Sequence, residues 1–486
     1  MEESGKHILV IPYPAQGHML TLLDLTYQLA IRGLTITILV TPKNLHFLDP
    51  LLAKHSSIKP LVVPFPTCPQ IPQGIENFKD LPPTGEYAIH MMMSLVKLKE
   101  NILKWFKFHP SPPVAIISDM FLGWTHQLAC QLSIPRYVFS PSGAMALAVI
   151  YSLWSKFPRR VNVGDDNEIV SFDQIPNCPK YPWWQISPIY RAFLENEDNE
   201  EFGIIKEGFD GNLASFGLVI NTFNKLEGDY VEYLKKELGH ERVWSVGPLL
   251  PPDDDVLGPI TRGGSSVVMA DDLCSWLDTC QDGTVLYVSF GSQLVLTNRQ
   301  MEAVALGLER SGVKFIWSVK GATKGHVEGE YGTIPLGFED RVVGRGLVVK
   351  GWVPQVLILR HRAMGAFLTH CGWNSVLESI VAGVPMLAWP MSADQFTDAT
   401  LLVGQLKVAI KVCDGISGIP NCDEFASIVS KLMSLSKGGE RLRAKEYSEE
   451  ALKAIKQGGD SYKSLDEFAI HLSQTASPLD KHIVLE

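Results

Sequence analysis

Basic charge is scarce in this sequence of 486 residues, and the shortage limits the partners that the chain can bind. The formal net charge is -10, with 43 Lys and Arg against 53 Asp and Glu, and basic residues cluster only in short pairs. Nucleic acid and anionic membrane surfaces both require a basic face on their protein partner. The composition therefore argues against both partners, and an anionic small ligand would need local hydrogen-bond donors.

Long apolar runs and closely spaced cysteines are also missing. No run reaches the roughly 18 residues of a membrane-spanning helix, and the polar start at 1–6 leads directly into the short apolar run 7–11. The eight cysteines are scattered, without the pairs of a zinc site or the density of a disulfide framework. We expect a soluble protein of the reducing cytosol, with neither signal peptide nor membrane anchor.

Two cofactor signatures are absent as well. No Gly-X-Gly-X-X-Gly pattern follows the first predicted strand, which argues against an NAD-dependent dehydrogenase. The acidic groups at 165–166, 253–255 and 271–272 lie in polar stretches, not at the end of a predicted strand where an Asp-X-Asp metal site would be useful. We expect neither a metal nor a cofactor.

Short apolar runs that alternate with helical patterns are present throughout. HILVI, LTITILV, VAIISD and RYVFS form a first set, and VLYVSF, KFIWSV, GLVVKGW, GAFLTH and PMLAWP form a second. This alternation is typical of βαβ units with a parallel sheet, and single cores stop growing at about 250 to 300 residues. We predict two α/β domains, at 1–250 and 267–455, joined by a linker rich in Pro, Asp and Gly at 251–266.

Ligands of open α/β sheets bind beyond the carboxyl ends of the strands, so the turns after these strands are the candidate sites. Five turns carry polar or Gly-rich residues, at Gly17-His18, Asp119, Ser140, Gly291-Ser292 and His370–Ser375. In the last turn, HCGWNS, Gly372 permits close backbone approach at a predicted helix start. The unpaired N–H groups there suit a diphosphate, although the same turn also reads as an ordinary capped strand-to-helix junction.

The neighbours of this turn fit a nucleotide sugar. An indole such as Trp352 can stack on a base, a carboxylate such as Glu378 can accept both ribose hydroxyls, and Asp394-Gln395 can bridge sugar hydroxyls. Taken singly, Trp352 also fits a core position and Glu378 a first-turn carboxylate that suits the helix dipole. The residues together favour a sugar-nucleotide site over either separate reading.

From Trp352 to Gln395 the sequence WVPQVLILRHRAMGAFLTHCGWNSVLESIVAGVPMLAWPMSADQ closely resembles the donor-binding signature box of plant family 1 UDP-dependent glycosyltransferases. PYPAQGH, VSFGS, GLVVKGW and GGDSYKSLDEF extend the resemblance over nearly the whole chain. It implies the GT-B fold, with two Rossmann-like domains that face each other across a cleft. It also implies that the final segment, 456–486, is a helix that crosses back to the N-terminal domain.

The resemblance assigns a role to each position of the box. It implies that Trp352 stacks on uracil, that Val353 contacts uracil through its backbone, and that Gln355 and Glu378 hold the ribose. It also implies that the diphosphate is held by Ser292, His370, Asn374 and Ser375, and that the sugar is read by Trp373, Asp394 and Gln395. Ser140 and Gly372 are further donor-binding candidates. A Gln at position 395, where galactose-using relatives often have His, is similar to glucose-using members.

The catalytic assignment rests on the same resemblance. His18 matches the general base of the family and Asp119 matches its partner, while a structural reading would make His18 a helix cap and Asp119 a turn residue. Imidazole suits the role because its unperturbed pKa is about 6.5. The chain departs from the family at Thr21, where Pro is usual, and at Asp398, where Asn is usual. Neither departure predicts an inactive enzyme.

The acceptor is the least determined part of the prediction. Phe121, Trp183 and Trp184 are candidates to line an apolar slot for a flavonoid, phenol or benzoate, although aromatic residues are more often core. We expect transfer of a sugar, preferably glucose, from a UDP-sugar to a small aromatic or apolar acceptor by a monomer. A UDP-sugar hydrolase or epimerase and a catalytically silent binding protein stay open as alternatives.

Overall fold

The computed structural model describes residues 5–249, 267–323, 326–327, 329–434 and 438–476. Its contacts divide them into two units, the first of residues 5–78, 84–249 and 454–476, the second of residues 79–83, 267–323, 326–327, 329–434 and 438–453. The predicted linker at 251–266 lies outside the described residues. Each unit contains its own parallel sheet and is described separately below.

The strands of the first unit come from continuous apolar runs, as expected for a parallel sheet that is covered on both faces. They are β1 (His7–Ile11), β2 (Thr35–Val40), β3 (Ile58–Val62), β4 (Ala115–Asp119), β5 (Arg136–Ser140), β6 (Ile169–Ser171), β7 (Lys180–Pro182), β8 (Gly217–Ile220) and β9 (Val243–Ser245). All pairings in the main sheet are parallel, in the order β3-β2-β1-β4-β5-β8-β9. β6 and β7 form a separate antiparallel hairpin.

Helices connect these strands. They are α1 (Gln16–Ala30), α2 (Asp49–Lys54), α3 (Gly85–Val96), α4 (Lys99–Phe108), α5 (Thr125–Gln131), α6 (Ala144–Lys156), α7 (Pro188–Glu195), α8 (Glu200–Leu213) and α9 (Asn224–Leu238). Short 3₁₀ segments lie at Pro42–Leu48, Phe78–Asp80, Met120–Leu122 and Trp183–Gln185. The segment Met120–Leu122 directly follows β4 and therefore sets the direction of the chain at Asp119.

The second unit repeats the same architecture. Its strands are β10 (Val285–Ser289), β11 (Lys314–Val319), β12 (Gly346–Lys350), β13 (Met364–Thr369), β14 (Met386–Ala388) and β15 (Ala409–Lys411). They form a parallel sheet in the order β12-β11-β10-β13-β14-β15. Buried Trp317, Phe338 and Trp389 are among the large side chains of its core.

The remaining helices complete the chain. They are α10 (Ala270–Asp278), α11 (Asn298–Ser311), α12 (Phe338–Arg341), α13 (Gln355–Arg360), α14 (Trp373–Ala382), α15 (Gln395–Thr400), α16 (Cys422–Ser434), α17 (Gly439–Ile455) and α18 (Asp460–Ser473). α15 continues into a π-helical turn at Leu401–Gln405. α18 belongs to the first unit, where buried Phe468 lies 4.9 Å from the ring of Trp244 and 5.3 Å from that of Tyr137.

Candidate active site

The first sheet places two predicted site residues at its switch point. β1 and β4 are neighbours, but from β1 the chain winds outward through β2 and β3, whereas from β4 it winds the other way through β5. Ligands of such sheets bind where the winding reverses, at the carboxyl ends of the strands. His18 lies in the first turn of α1, just after β1, and Asp119 is the last residue of β4.

His18 and Asp119 form a hydrogen-bonded pair. Nδ1 of His18 lies 2.8 Å from Oδ2 of Asp119, and Oδ1 of the same carboxylate accepts a hydrogen bond from the backbone N–H of Phe121 at 2.9 Å. The Asp119 side chain is fully buried, whereas that of His18 is 20% exposed. With the carboxylate on Nδ1, the histidine is a hydrogen-bond donor at that atom, and Nε2 carries the lone pair that can accept a proton.

Aromatic rings surround the pair. The ring of Phe121 lies 4.8 Å from that of His18, and the ring of Tyr13 lies 5.3 Å from His18 and 5.2 Å from Phe121. Burial raises the pKa of Tyr13 well above its usual value, and Asp119 raises it further. Tyr13 therefore stays neutral, and half-buried Phe121 is the acceptor-binding candidate that contacts the imidazole directly.

The other acceptor candidates lie on the 3₁₀ segment Trp183–Gln185. Trp183 is only 5% exposed, and its ring lies 6.4 Å from that of Tyr190 and 5.3 Å from the guanidinium carbon of Arg160. Trp184 is half-buried, and its backbone N–H donates to the carbonyl of Asp166. Trp183 therefore takes part in the packing of the unit, and an acceptor contact by either indole stays a prediction.

Two further sequence positions lie in the first unit. Ser140 ends β5 and is fully buried, and its hydroxyl donates to the carbonyl of Ser142 at 2.9 Å. Its donor-binding role stays a prediction. Thr21, where the family usually has Pro, is buried in α1 and donates from Oγ1 to the carbonyl of Gly17 at 2.8 Å. The departure at 21 thus supplies a hydrogen bond within the first turns of the helix.

The switch point of the second sheet lies between β10 and β13. Gly291-Ser292 follows β10, and His370 follows β13, so both turns leave the same edge of the sheet between neighbouring strands. A Cβ atom on Gly291 would lie 2.6 Å from Cε1 of His370, and one on Gly372 would lie 2.5 Å from its Nε2. Both glycines are therefore required for the imidazole to fit between the two turns.

The environment of His370 keeps its ring neutral. Burial lowers the pKa of His370 to about 4. Its Nδ1 atom is enclosed and has no hydrogen-bond partner within the described residues. At neutral pH the ring therefore offers a neutral N–H donor rather than a positive charge.

A helix N-terminus lies beside this ring. α14 begins at Trp373 with Gly372 as its N-cap, and among the described residues no side chain caps it through a hydrogen bond. Asn374 is half-buried and Ser375 is buried in the first turn. The N–H groups of a helix's first turn have no partner within the helix and lie at the positive end of its dipole, so this end suits an anion.

The predicted ribose ligands contact one another in the same unit. Nε2 of Gln355 donates to Oε2 of Glu378 at 2.7 Å and to Oγ of Ser375 at 3.0 Å. Trp352, three residues before the start of α13, is half-buried, and Val353 is buried at 3% exposure. The predicted uracil and ribose ligands thus lie just before α13, at its start, and on α14.

The predicted sugar ligands lie at the start of α15, and this helix contacts α14. Asp394 is the N-cap of α15, and Gln395 is its first residue. Oε1 of Gln395 accepts hydrogen bonds from the N–H groups of Met391 at 3.0 Å and Ser392 at 3.1 Å. Asp398, the second departure from the family, is buried in the same helix.

Comparison with known proteins identifies the family. A family model described as UDP-glucoronosyl and UDP-glucosyl transferase matches residues 266–412. The sequence is 58% identical to UDP-glycosyltransferase 89B2 of Stevia rebaudiana, over 97% of this chain and 98% of that protein. The chain belongs to the plant family 1 UDP-dependent glycosyltransferases.

Further similarities support the family and the fold of this glycosyltransferase. It is 50% identical to the flavonol 3-O-glucosyltransferase UGT89B1 of Arabidopsis thaliana, over 97% of this chain and 98% of that protein. The crystal structure of Arabidopsis thaliana UGT89C1 complexed with UDP-L-rhamnose matches with a TM-score of 0.80 and 38% identity, covering 96% of this chain and 99% of the other. The predicted GT-B fold is therefore confirmed.

Two charged residues near the predicted site of this glycosyltransferase were not predicted from the sequence. Arg136, the first residue of β5, is 1% exposed, and its side chain donates to Oγ of Ser118 next to Asp119. Lys320 follows β11 and donates to the carbonyls of Ser292 and Gln293, and burial lowers its pKa to about 8. A charged residue at either end of an apolar strand was the only sequence signal for them.

The described residues contain neither a candidate membrane span nor a candidate metal site. There, no helix combines the length and apolar character that crossing a bilayer requires. No group of three or more His, Cys, Asp or Glu side chains in that part of the chain is placed to hold a metal ion.

Proposed function

We propose that this glycosyltransferase transfers glucose from UDP-glucose to a hydroxyl of a flavonol or similar phenol, with inversion at the anomeric carbon and His18 as general base. The observation that carries this proposal is the 2.8 Å contact between Nδ1 of His18 and Oδ2 of buried Asp119 at the switch point of the first sheet. A paired, partly exposed imidazole is suited to take a proton from a neutral nucleophile.

The proton transfer uses the two nitrogens of His18 differently. Nδ1 donates to Asp119, so Nε2 accepts the proton of the acceptor hydroxyl while its oxygen attacks the anomeric carbon and the bond to UDP breaks. Asp119 stabilises the imidazolium that forms, and the proton leaves from Nε2 when product departs. A single displacement of this kind converts an α-linked donor into a β-glucoside.

The leaving diphosphate is held by neutral donors in this proposal. The N-terminus of α14, the ring of His370 and the side chains of Asn374, Ser375 and Ser292 stabilise the charge that grows on UDP as the glycosidic bond breaks. Trp352 and Val353 hold the uracil, and Gln355 with Glu378 holds the ribose, whose two hydroxyls replace the contact between these side chains. No metal ion is needed for this stabilisation.

The nature of the sugar and acceptor is proposed from two relatives and one residue. The 50% identical relative is named a flavonol 3-O-glucosyltransferase, and Gln395 is similar to glucose-using members of the family. A second donor has support of its own, because UGT89C1 was crystallised with UDP-L-rhamnose. Glucose is preferred because the relative named as a glucosyltransferase is more similar in sequence, at 50% against 38% identity.

A product assay tests the reaction. Purified protein is incubated with UDP-glucose or UDP-L-rhamnose and a panel of flavonols, simple phenols and benzoates, and products are separated and weighed by mass spectrometry. We expect a hexose-sized mass gain on a flavonol, with a β-configured linkage by NMR. A deoxyhexose-sized gain alone would replace glucose by rhamnose, and consumption of UDP-glucose without a conjugate would indicate a hydrolase.

The general base is tested by His18→Ala. Removing a positioned general base lowers turnover by roughly 10² to 10⁴-fold. The matched control is His46→Ala, an exposed histidine of the same unit, which should keep wild-type turnover. Near-normal turnover of His18→Ala would refute the assignment.

A further inference from the structure

A buried guanidinium lies behind the proposed catalytic pair. Arg136 opens β5, the strand next to β4, and is one of the largest fully buried side chains of the chain, at 1% exposure. An isolated buried charge is strongly destabilising unless it is paired and hydrogen-bonded. Its presence in the core of the first unit therefore requires a physical reason.

The hydrogen bonds of Arg136 satisfy its donors without an ion pair. Nε donates to Oγ of Ser118 at 2.8 Å, and Nη1 donates to Oδ1 of Asn212 at 2.9 Å and Oγ of Ser215 at 2.8 Å. Nη2 donates over 3.4 Å to the carbonyls of Asp119 and Leu122. These acceptors are all neutral, and in the described part of the chain no carboxylate pairs directly with the guanidinium.

These contacts hold the turn that carries Asp119. Ser118, Asp119 and Leu122 are bound by Arg136 itself, and Nδ2 of Asn212 donates to the carbonyl of Met120 at 2.7 Å. The guanidinium thus binds Ser118 Oγ and the backbone of this turn, while the carboxylate of Asp119 contacts His18. The orientation of Oδ2 depends on this turn.

Arg136 and Asp119 also attract each other as charges. Burial lowers the pKa of Arg136 to about 10, and Tyr151 and Asp119 act in the opposite direction. Asp119 is itself fully buried, so water screens the attraction between the two charges only weakly. Arg136 is therefore a source of positive charge within the protein that acts on the carboxylate of Asp119.

The other titratable groups around the pair are neutral at pH 7 to 8. Tyr13 faces His18 from the turn after β1, Tyr151 faces Arg136 from α6, and His126 faces it from α5. Burial raises the pKa of both tyrosines and lowers that of His126. Arg136 and Asp119 are therefore the charges that act on His18 from within this cluster.

We propose that Arg136 is a positioning residue of the glycosyl transfer: its buried positive charge attracts the carboxylate of Asp119, and its donors hold residues 118–122 so that Oδ2 stays on Nδ1 of His18. The inference rests on the proposed function, in which His18 is the general base. It adds a third member to the pair, placed on the neighbouring strand.

The test is the pH dependence of kcat/KM in Arg136→Gln and Arg136→Lys. Loss of the positive charge lets the His18–Asp119 pair take up a proton more readily, so the acid limb of Arg136→Gln should move upward by about one pH unit. Arg136→Lys keeps the charge but not the planar fork, so it should lose turnover while its acid limb stays in place. An unmoved acid limb in Arg136→Gln would overturn the proposal.

Two further variants separate the possible causes. Asn212→Ala disturbs the same turn without changing charge, and should lower kcat while leaving the acid limb in place; a shift as large as that of Arg136→Gln would refute the role of charge. Near-normal activity of His18→Ala would refute the general base itself. Loss of activity in His18→Ala together with an unmoved limb in Arg136→Gln would refute only the role of Arg136.

If Arg136→Gln does not fold, Asp119→Asn in the otherwise unchanged chain supplies a second test of the proposal. This variant removes the buried negative charge that attracts the guanidinium, so its thermal unfolding midpoint should fall by several degrees, whereas that of His18→Ala should stay close to wild type. A midpoint of Asp119→Asn at or above the wild-type value would overturn the proposal.

Discussion

Two histidines of the candidate site differ in their hydrogen-bond partners, and this difference suits them to different roles in the proposed reaction. The His18 side chain is 20% exposed and is paired with Asp119, which suits it to accept and release a proton. For His370, burial lowers the pKa to about 4, and no carboxylate contact is present among the described residues to compensate. In the proposed reaction, His18 therefore takes up the proton and His370 acts as a neutral donor.

The low pKa of His370 predicts a pH-dependent stability. In the unfolded chain a histidine takes up its proton near pH 6.5, but folded His370 does so only near pH 4, so its contribution to stability is present above pH 6.5 and is lost as the pH falls towards 4. Between pH 6.5 and 5, His370→Gln should lose about 1 to 2 kcal/mol less free energy of unfolding than wild type. Urea unfolding at both pH values measures this, with exposed His46→Gln as the control. Equal losses in His370→Gln and wild type would contradict the prediction.

Gly291 is predicted to be essential for donor binding. Its φ of +77° disfavours any other residue, and a Cβ atom would meet the His370 ring at 2.6 Å. Gly291→Ala should raise the KM for UDP-glucose about tenfold or more, which corresponds to about 1.4 kcal/mol or more. Gly312→Ala is a matched control, because Gly312 has a φ of +70° but no atom within 4 Å of the added carbon. A donor KM that rises equally in both variants would show that backbone strain alone is responsible.

At the scale of elements, the two sheets divide the proposed chemistry. The acid–base pair lies on β4 and α1 of the first unit, and the anion-binding helix end follows β13 in the second. Each lies where the winding of its own sheet reverses, so one topological rule accounts for both locations. The last described helix, α18, belongs with the first sheet although it follows the second unit in sequence.

The packing of α18 can be tested with two residues of that helix. Phe468 is fully buried against Trp244 and Tyr137, whereas Ile470 is 55% exposed. Phe468→Ala should lower the free energy of unfolding by about 3 to 5 kcal/mol, and Ile470→Ala should change it by less than about 0.5 kcal/mol. Denaturant unfolding of both full-length variants measures the difference. Equal effects would show that the helix is not held by this face.

At the scale of the whole molecule, the net charge of -10 does not attract an anionic donor, so local hydrogen-bond donors must bind it. The proposed diphosphate site relies on N–H donors, a helix dipole and a neutral histidine. We therefore expect full turnover after treatment with EDTA and no stimulation by added Mg²⁺ or Mn²⁺. A loss of turnover on chelation that Mg²⁺ restores would contradict the proposal.

Most of the fold could be predicted from the sequence because both sheets are built of continuous apolar runs. HILVI and GAFLT coincide with β1 and with the greater part of β13. β3 was not predicted, because Lys59 and Pro60 interrupt its short apolar run and it lies at the exposed edge of the sheet. The β6–β7 hairpin was also missed, since three-residue strands carry little periodicity.

The candidate site could be predicted where it follows strand ends, and not where it depends on distant packing. His18, Asp119 and His370 each come just after, or at the end of, an apolar strand. Arg136 could not be identified, because its partners Asn212 and Ser215 lie on and just after α8, far along the chain, and a charged residue in a sequence is normally exposed. Only the folded structure shows that this charge is enclosed.

The carbonyl of Gln395 has a consequence for how donor preference changes among relatives. This oxygen accepts hydrogen bonds from the two backbone N–H groups of residues 391 and 392 in the loop after β14. The residue proposed to read the sugar therefore also stabilises the shape of that loop. An imidazole at this position has one acceptor nitrogen and would leave an N–H group of residues 391–392 unpaired. If Gln395 reads the sugar as proposed, sugar preference and loop shape change together, and an engineered change of donor should begin with this loop and not with position 395 alone.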